Sequence, residues 1–222
     1  MPRNPGGNPL ALMVLCTLWE RPSHPYQLVR TLKERRKDKS ARLNYGSLYT
    51  VVAALEKGRA IEAVEVTREG NLPPRTVYRI TDAGIAKMNG WLSELVADPK
   101  PEIPAFMTAL SVLPVLPPER ASELLALRVS RLGEEIKALE KESRALDGEV
   151  PELMRIESDY HQALLEAEVA FAERLVQAIK DGSMSGMAVW RQIHRSLVDG
   201  RPDFDSLAAV FAADGLSPRP GD

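Results

Sequence analysis

One cysteine, Cys16, leaves this 222-residue chain no internal disulfide to form. Its three histidines, His24, His161 and His194, are too scattered to build a zinc-type cluster with it. Glu157 with His161, and Trp190 with His194, are pairs four residues apart on one helix, and such a pair lacks the further ligands a metal needs. No run of 18 apolar residues is present, so no segment is expected to cross a membrane. The first residues lack the charged-then-apolar pattern of a secretory leader, and a cytoplasmic location is expected. Glycine-rich phosphate loops and nucleophile elbows are missing too. The expectation is therefore no enzyme, no cofactor and no metal. Cys16 reads as a small buried thiol in a reducing compartment, and Trp19, Trp91 and Trp190 as core residues.

Charge is present but unevenly placed. Residues 1–97 hold 15 Lys and Arg against 9 Asp and Glu, a net +6. Residues 98–222 hold 14 against 22, a net −8, which together give the overall −2. A basic first part joined to an acidic second part suits a protein that touches phosphates at one end only. The densest basic run is Arg30, Lys33, Arg35, Arg36, Lys37, Lys39 and Arg42. Such residues anchor a DNA-binding protein in register on the phosphate backbone.

The segment just after that run carries the most information. Asn44 can cap a helix in which Leu48, Val51, Val52 and Leu55 repeat at i, i+3, i+4, i+7. Tyr45, Ser47, Tyr49, Thr50 and Lys57 fall off that stripe, and Gly58 follows as a stop. A buried stripe backing a face of short polar and aromatic side chains is what a helix needs to enter a major groove. Upstream, Asn8 and Pro9 open a helix over 10–19 that is apolar nearly all round. Ser23 is placed to cap a second over 25–36, with Leu28, Val29 and Leu32 inward. Downstream, Val64 and Val66, then Tyr78 and Ile80, alternate with polar neighbours as two short strands around a Gly-, Asn- and Pro-rich loop. Thr81 caps a further helix with Ile85, Met88, Leu92 and Leu95 in register. Three helices, a hairpin and a helix make a winged helix-turn-helix.

Five spaced pieces of residues 8–97 resemble the N-terminal domain of the PadR family of transcriptional regulators. They are the apolar helix over 10–19, His24-Pro25-Tyr26-Gln27-Leu28, Gly46-Ser47-Leu48-Tyr49, Tyr78-Arg79-Ile80-Thr81, and Ala83-Gly84. The chain departs from the family's usual residues at Pro25, where Gly is common, and at Asn44-Tyr45, where many members have Ser-Pro. Its wing loop, 69–75, is also less basic than in many members. The resemblance implies a regulator that binds double-stranded DNA.

Asp98-Pro99-Lys100-Pro101 marks a boundary, giving domains 1–97 and 98–222. Beyond it the chain reads as helical throughout. A short helix over 103–113 ends at Pro114, and Pro117-Pro118 start a long one. In the long helix Leu125, Val129, Leu132, Ile136, Leu139 and Leu146 form an a/d seam of about three heptads. A second long helix runs over 152–180 with Ile156, Tyr160, Leu164, Ala167, Phe171, Leu175 and Ile179 as its stripe. A third, from about Ser185, turns Val189, Trp190, Ile193 and Leu197 inward. A last short helix is expected over 203–213, followed by a frayed tail at 216–222. The 160–168 segment resembles the helical C-terminal domain of larger PadR members. That implies a homodimer, and small aromatic or drug-like effectors near its interface. The heptad seam could instead be satisfied inside one chain by an antiparallel hairpin, but use of a C-terminal helix between chains is the expectation.

The fold class expected is mainly α: a winged helix-turn-helix with a two-stranded wing, then an all-α domain with long antiparallel helices. The function expected is a DNA-binding transcriptional regulator, a ligand-responsive repressor that binds a palindromic operator as a homodimer. Arg42, Asn44, Tyr45, Ser47, Tyr49, Thr50, Lys57 and Arg75 are the expected DNA-contacting residues, and the ligand-binding residues are not specified. The alternative is a helical scaffold or partner-binding protein that no longer binds DNA.

Overall fold

Asn8 begins the first helix as its sequence suggests: its side-chain oxygen accepts the Leu10 N–H at 3.0 Å, and Pro9 takes a first-turn position where its missing N–H is harmless. The computed structural model describes residues 8–35, 37, 45–67, 75–99, 102–145 and 150–198. It divides into two compact units, Met1–Glu102 and Ile103–Asp222. Expected features at 38–44, 68–74, 146–149 and 199–222 lie outside the described residues. These include Arg42, Asn44, the wing tip, Leu146 and the last short helix.

In the first unit α1 (Pro9–Glu20) buries Leu10, Ala11, Val14, Leu15 and Leu18. Trp19 points out and is 62% exposed, so it is not the core residue expected. Cys16 packs against the edge of the core. Burial, then the charge of Glu20, raises its pKa, so it stays a protonated thiol. The second helix, α2 (Pro25–Glu34), ends two residues earlier than expected, and its cap is His24 rather than Ser23. The His24 Nδ1 accepts the Gln27 N–H at 3.1 Å. Ser23 lies one residue before the cap position, and its backbone is committed elsewhere. Its N–H and C=O exchange two 3.0 Å hydrogen bonds with Tyr78.

The third helix, α3 (Tyr45–Lys57), buries Leu48, Val51, Val52 and Leu55, the stripe its spacing foretold. Its stop is less simple. The Ala60 N–H reaches back to Leu55 O at 3.0 Å and the Arg59 N–H to Glu56 O at 2.8 Å, the hydrogen-bond pair of a Schellman turn. The residue in the left-handed conformation is Arg59, at φ 56°, and not Gly58. The wing pairs β1 (Ile61–Thr67) with β2 (Arg75–Ile80) antiparallel, from Ile61 against Ile80 to Thr67 against Arg75. Strict alternation fails at Val64, the extra residue between the Ala63–Tyr78 and Glu65–Val77 pairs. This β-bulge leaves Val64 exposed. Among the β1 residues whose burial is described, Ile61 is the buried one.

Thr81 joins the wing to α4 (Asp82–Ala97). Its hydroxyl lies 2.8 Å from Arg59 O and accepts the Gly84 N–H at 3.1 Å, while its own N–H donates to Ala60 O at 3.0 Å. A Cβ on Gly84 would stand 2.0 Å from Ala60 O, so only glycine lets the helix start this close to the α3–β1 turn. That close approach sets the rotation of α4. Gly84, Met88 and Trp91 face inward, and the Leu92 and Leu95 expected beside them are nearly half exposed.

The second unit holds α5 (Ala105–Ser111), a 3-10 turn at Leu113–Val115, α6 (Pro118–Ala145), a 3-10 turn at Glu152–Met154, α7 (Ile156–Lys180) and α8 (Met187–Val198). Pro114 sits within the first 3-10 turn instead of ending a helix that reaches it. Arg128 meets Glu168 at 2.5 Å and Glu135 faces His161 at 3.9 Å. Stepping seven residues forward on α6 means seven back on α7, so the two run antiparallel. The heptad seam is therefore satisfied inside the chain: Leu125 is buried, and Val129, Leu132, Ile136 and Leu139 are half-buried. The α7 residues turned inward are Leu165, Val169, Ala172, Val176 and Ile179. Most of the expected stripe faces out: Ile156, Tyr160, Leu164, Ala167 and Phe171 are exposed. One end of the hairpin is closed by a core of Ala121, Leu125, Ile179, Met187 and Trp190, and the indole N–H of Trp190 donates to Leu116 O at 2.8 Å.

Two substitutions test the α3–β1 turn. Gly84→Ala should destabilise the protein by about 2 kcal/mol, because the added methyl meets backbone that cannot yield. Arg59→Gly should stabilise it by about 1 kcal/mol by removing a side chain from a left-handed position. Urea unfolding followed by circular dichroism measures both.

Candidate nucleic-acid interface

The outward face of α3 is nearly flat. Gly46, Thr50, Ala53 and Ala54 are small and exposed, and Tyr49 (54% exposed) stands up among them. A face of small residues lets a helix backbone approach base edges, and alanine or a threonine methyl can meet a thymine methyl. The Thr50 hydroxyl donates back to Gly46 O at 3.0 Å, so its methyl is the part left to the surface. Ser47 is half-buried beside this face, and Lys57 is exposed in the last turn. Tyr45 opens the helix, with its side chain outside the described set.

Arg75 does not extend freely from the wing. Its guanidinium lies 5.5 Å from the centroid of the Tyr26 ring, and Tyr26 in turn stacks on His24 at 6.2 Å. Sequence reasoning passed over this trio, although Tyr26 directly after a helix-starting Pro25 was a visible sign of an exposed ring. The Ser23–Tyr78 bridge brings the trio together by fastening the start of α2 to β2. On the far side of Tyr78, its hydroxyl donates to Glu56 at 3.3 Å. Burial, then the charge of Glu56 and this hydrogen bond, raise the Tyr78 pKa, so the phenol keeps its proton.

The basic run is partly engaged within the fold. Arg35 makes a two-pronged pair with Glu20, both distances 2.6 Å, and Arg30 pairs with Glu34 one turn away. The first pair ties the end of α1 to the end of α2, and the Arg35 hydrogen bond holds the Glu20 carboxyl below its ordinary pKa.

A helix-turn-helix with a two-stranded wing fastened to its second helix is the fold of the winged-helix DNA-binding proteins. Residues 14–89 match the model of the Transcriptional regulator PadR-like family. Solved structures agree on the fold over most of the chain. Bacillus subtilis PadR in complex with operator DNA aligns with TM-score 0.62 at 17% identity, over 77% of this chain and 98% of that one. The same protein in complex with p-coumaric acid gives 0.63 at 16% identity, over 77% and 98%. The Vibrio cholerae virulence activator AphA gives 0.59 at 16% identity, over 78% and 98%. No curated protein sequence matches the chain. Among the described residues, no helix is long and apolar enough to cross a membrane.

If the flat face of α3 reads bases, a Ser47→Ala and Tyr49→Ala double variant should lose affinity for a specific site while keeping its circular dichroism spectrum. Unchanged operator affinity would place another element in the groove.

Proposed function

We propose that the chain is a homodimeric, ligand-responsive transcriptional repressor that acts in the cytoplasm, with α3 in the major groove of each half-site. The observation that carries the reading is the small-residue face of α3 set beside a wing-borne arginine, in a domain of a transcriptional regulator family. Arg42, Asn44, Tyr45, Ser47, Tyr49, Thr50, Lys57 and Arg75 are the residues proposed to touch DNA. The bases are met by the α3 face, and Arg75 holds the backbone. The likeness to a protein crystallised on operator DNA supports a repressor that occupies its site. The likeness to the same protein bound to p-coumaric acid supports an aromatic effector. Release then follows from an effector that prefers a form of the protein unable to bind DNA.

The outer face of α7 supports the dimer. Leu153, Met154, Ile156, Tyr160, Leu164 and Phe171 are all exposed on or just before one helix. From Ile156 to Phe171 they span about 22 Å, long enough for one helix to pack along another. A two-fold dimer sets its half-sites about one turn apart or a multiple of it, roughly 10 bp per turn.

Electrophoretic mobility against the DNA upstream of its own gene is the direct test. Absence of any specific shift would favour the partner-binding scaffold. Given binding, Arg75→Ala should flatten the slope of log K against log salt by about 1.8 for a dimer, because each phosphate that is no longer neutralised is worth about 0.9. It should also weaken specific and unrelated DNA alike. Tyr160→Glu with Leu164→Glu should convert the full chain to a monomer in sedimentation at low micromolar concentration. A persistent dimer would put the interface elsewhere.

A further inference from the structure

A hollow of about 340 Å3 lies in the first unit between the start of α2, the exposed side of α3 and strand β2. Tyr26 and Tyr49 both line it, and both are about half exposed. Arg75 and Thr76 line it from the wing. The Ser23–Tyr78 bridge fixes the gap, because it fastens the start of α2 to β2. Tyr26 is ordered before anything binds. Its ring stacks on His24, with centroids 6.2 Å apart, and the Arg75 guanidinium lies 5.5 Å from its own centroid. Arg30 stands four residues further on, one turn along the same face of α2.

We infer that Tyr26 is a further DNA-contact residue, whose phenol O–H donates to a backbone phosphate at the mouth of this hollow. The inference rests on the function proposed above, which puts Tyr49 at the bases and Arg75 at the backbone. A DNA strand that leaves the groove filled by α3 and reaches Arg75 crosses the hollow between them, where Tyr26 stands. Tyrosine hydroxyls serve as phosphate donors alongside Arg, Lys, Ser and Thr. A ring already held in place loses little freedom on binding, so more of the contact appears as affinity. Two guanidiniums near the phenol favour an anion there. The Glu56 carboxylate would repel one, but its hydrogen bond from Tyr78 holds it on the α3 wall, so the phosphate belongs on the Tyr26 side. The role given to the phenol does not depend on what else the Arg75 guanidinium touches.

Fluorescence anisotropy with the full chain tests this, using a duplex of the DNA upstream of its own gene and an unrelated duplex of equal length. Tyr26→Phe keeps the ring beside His24 and Arg75 and removes only the hydroxyl. It should weaken both duplexes about tenfold or more, since a hydrogen bond to a charged oxygen is lost in each half-site. The slope of log K against log salt should match the wild type, because a neutral phenol releases no counterion. Upstream duplexes carrying a neutral methylphosphonate at one backbone position at a time locate the contact. One position in each half-site should weaken the wild type and cost Tyr26→Phe far less. Should Tyr26→Phe lose its circular dichroism spectrum, Tyr26→Gln and Tyr26→Leu decide: the first keeps a donor and should bind both duplexes more tightly than the second. Unchanged affinity in Tyr26→Phe, a loss confined to the upstream duplex, or no methylphosphonate position that separates the two proteins overturns the assignment and leaves the repressor reading intact. A wild type that binds neither duplex overturns both.

Discussion

Two hydrogen bonds between Ser23 and Tyr78, both 3.0 Å, fix the geometry on which the rest of the first unit depends. They make the segment before α2 a one-residue third strand beside β2. Each such bond contributes about 1 kcal/mol net, but Ser23 is buried, so leaving its groups unpaired would cost more. Through this bridge the wing cannot swing independently of the helix-turn-helix. His24 and Tyr26 are carried to the wing base, Arg75 comes to rest over Tyr26, and Tyr78 reaches Glu56. Without it Arg75 would be a long side chain on a two-stranded ribbon, and an isolated ribbon is marginal in water.

The same economy governs the turn from α3 into β1. One carbonyl, Ala60 O, accepts the Thr81 N–H and limits how near α4 can come, which requires glycine at position 84. The adjacent Arg59 adopts the left-handed conformation that glycine would take more readily, so the turn holds some strain beside α3. Close approaches of backbone to backbone orient α3, β1 and α4 here, and apolar burial fills in behind them.

In the second unit α7 is apolar on two faces. The inner face, Leu165, Val169, Ala172, Val176 and Ile179, is satisfied by α6. Phe106 of α5 sits at its border, with the Arg128 guanidinium 3.9 Å from its ring centroid and Phe171 edge-on at 6.5 Å. The outer face is left over once the hairpin has formed, which is why a second copy of the chain is the proposed partner.

What the sequence by itself determined is the order and kind of the elements. Periodicity marked the α3 stripe, the α6 seam and the caps at Asn8 and Thr81, because each depends on residues within a turn or two of one another. The outward face of α3, with Tyr49 and Thr50 exposed and Ser47 half-buried beside them, was legible for the same reason. Only the tertiary structure decided which apolar residues are inside. Tyr160 and Leu164 read as core by spacing, yet α6 packs on the neighbouring face. Leu92 and Leu95 likewise look buried until the close approach at Gly84 fixes the rotation of α4. The His24–Tyr26–Arg75 group joined residues some fifty positions apart in sequence. No local pattern encodes that meeting, since it follows from two backbone hydrogen bonds closing a long loop.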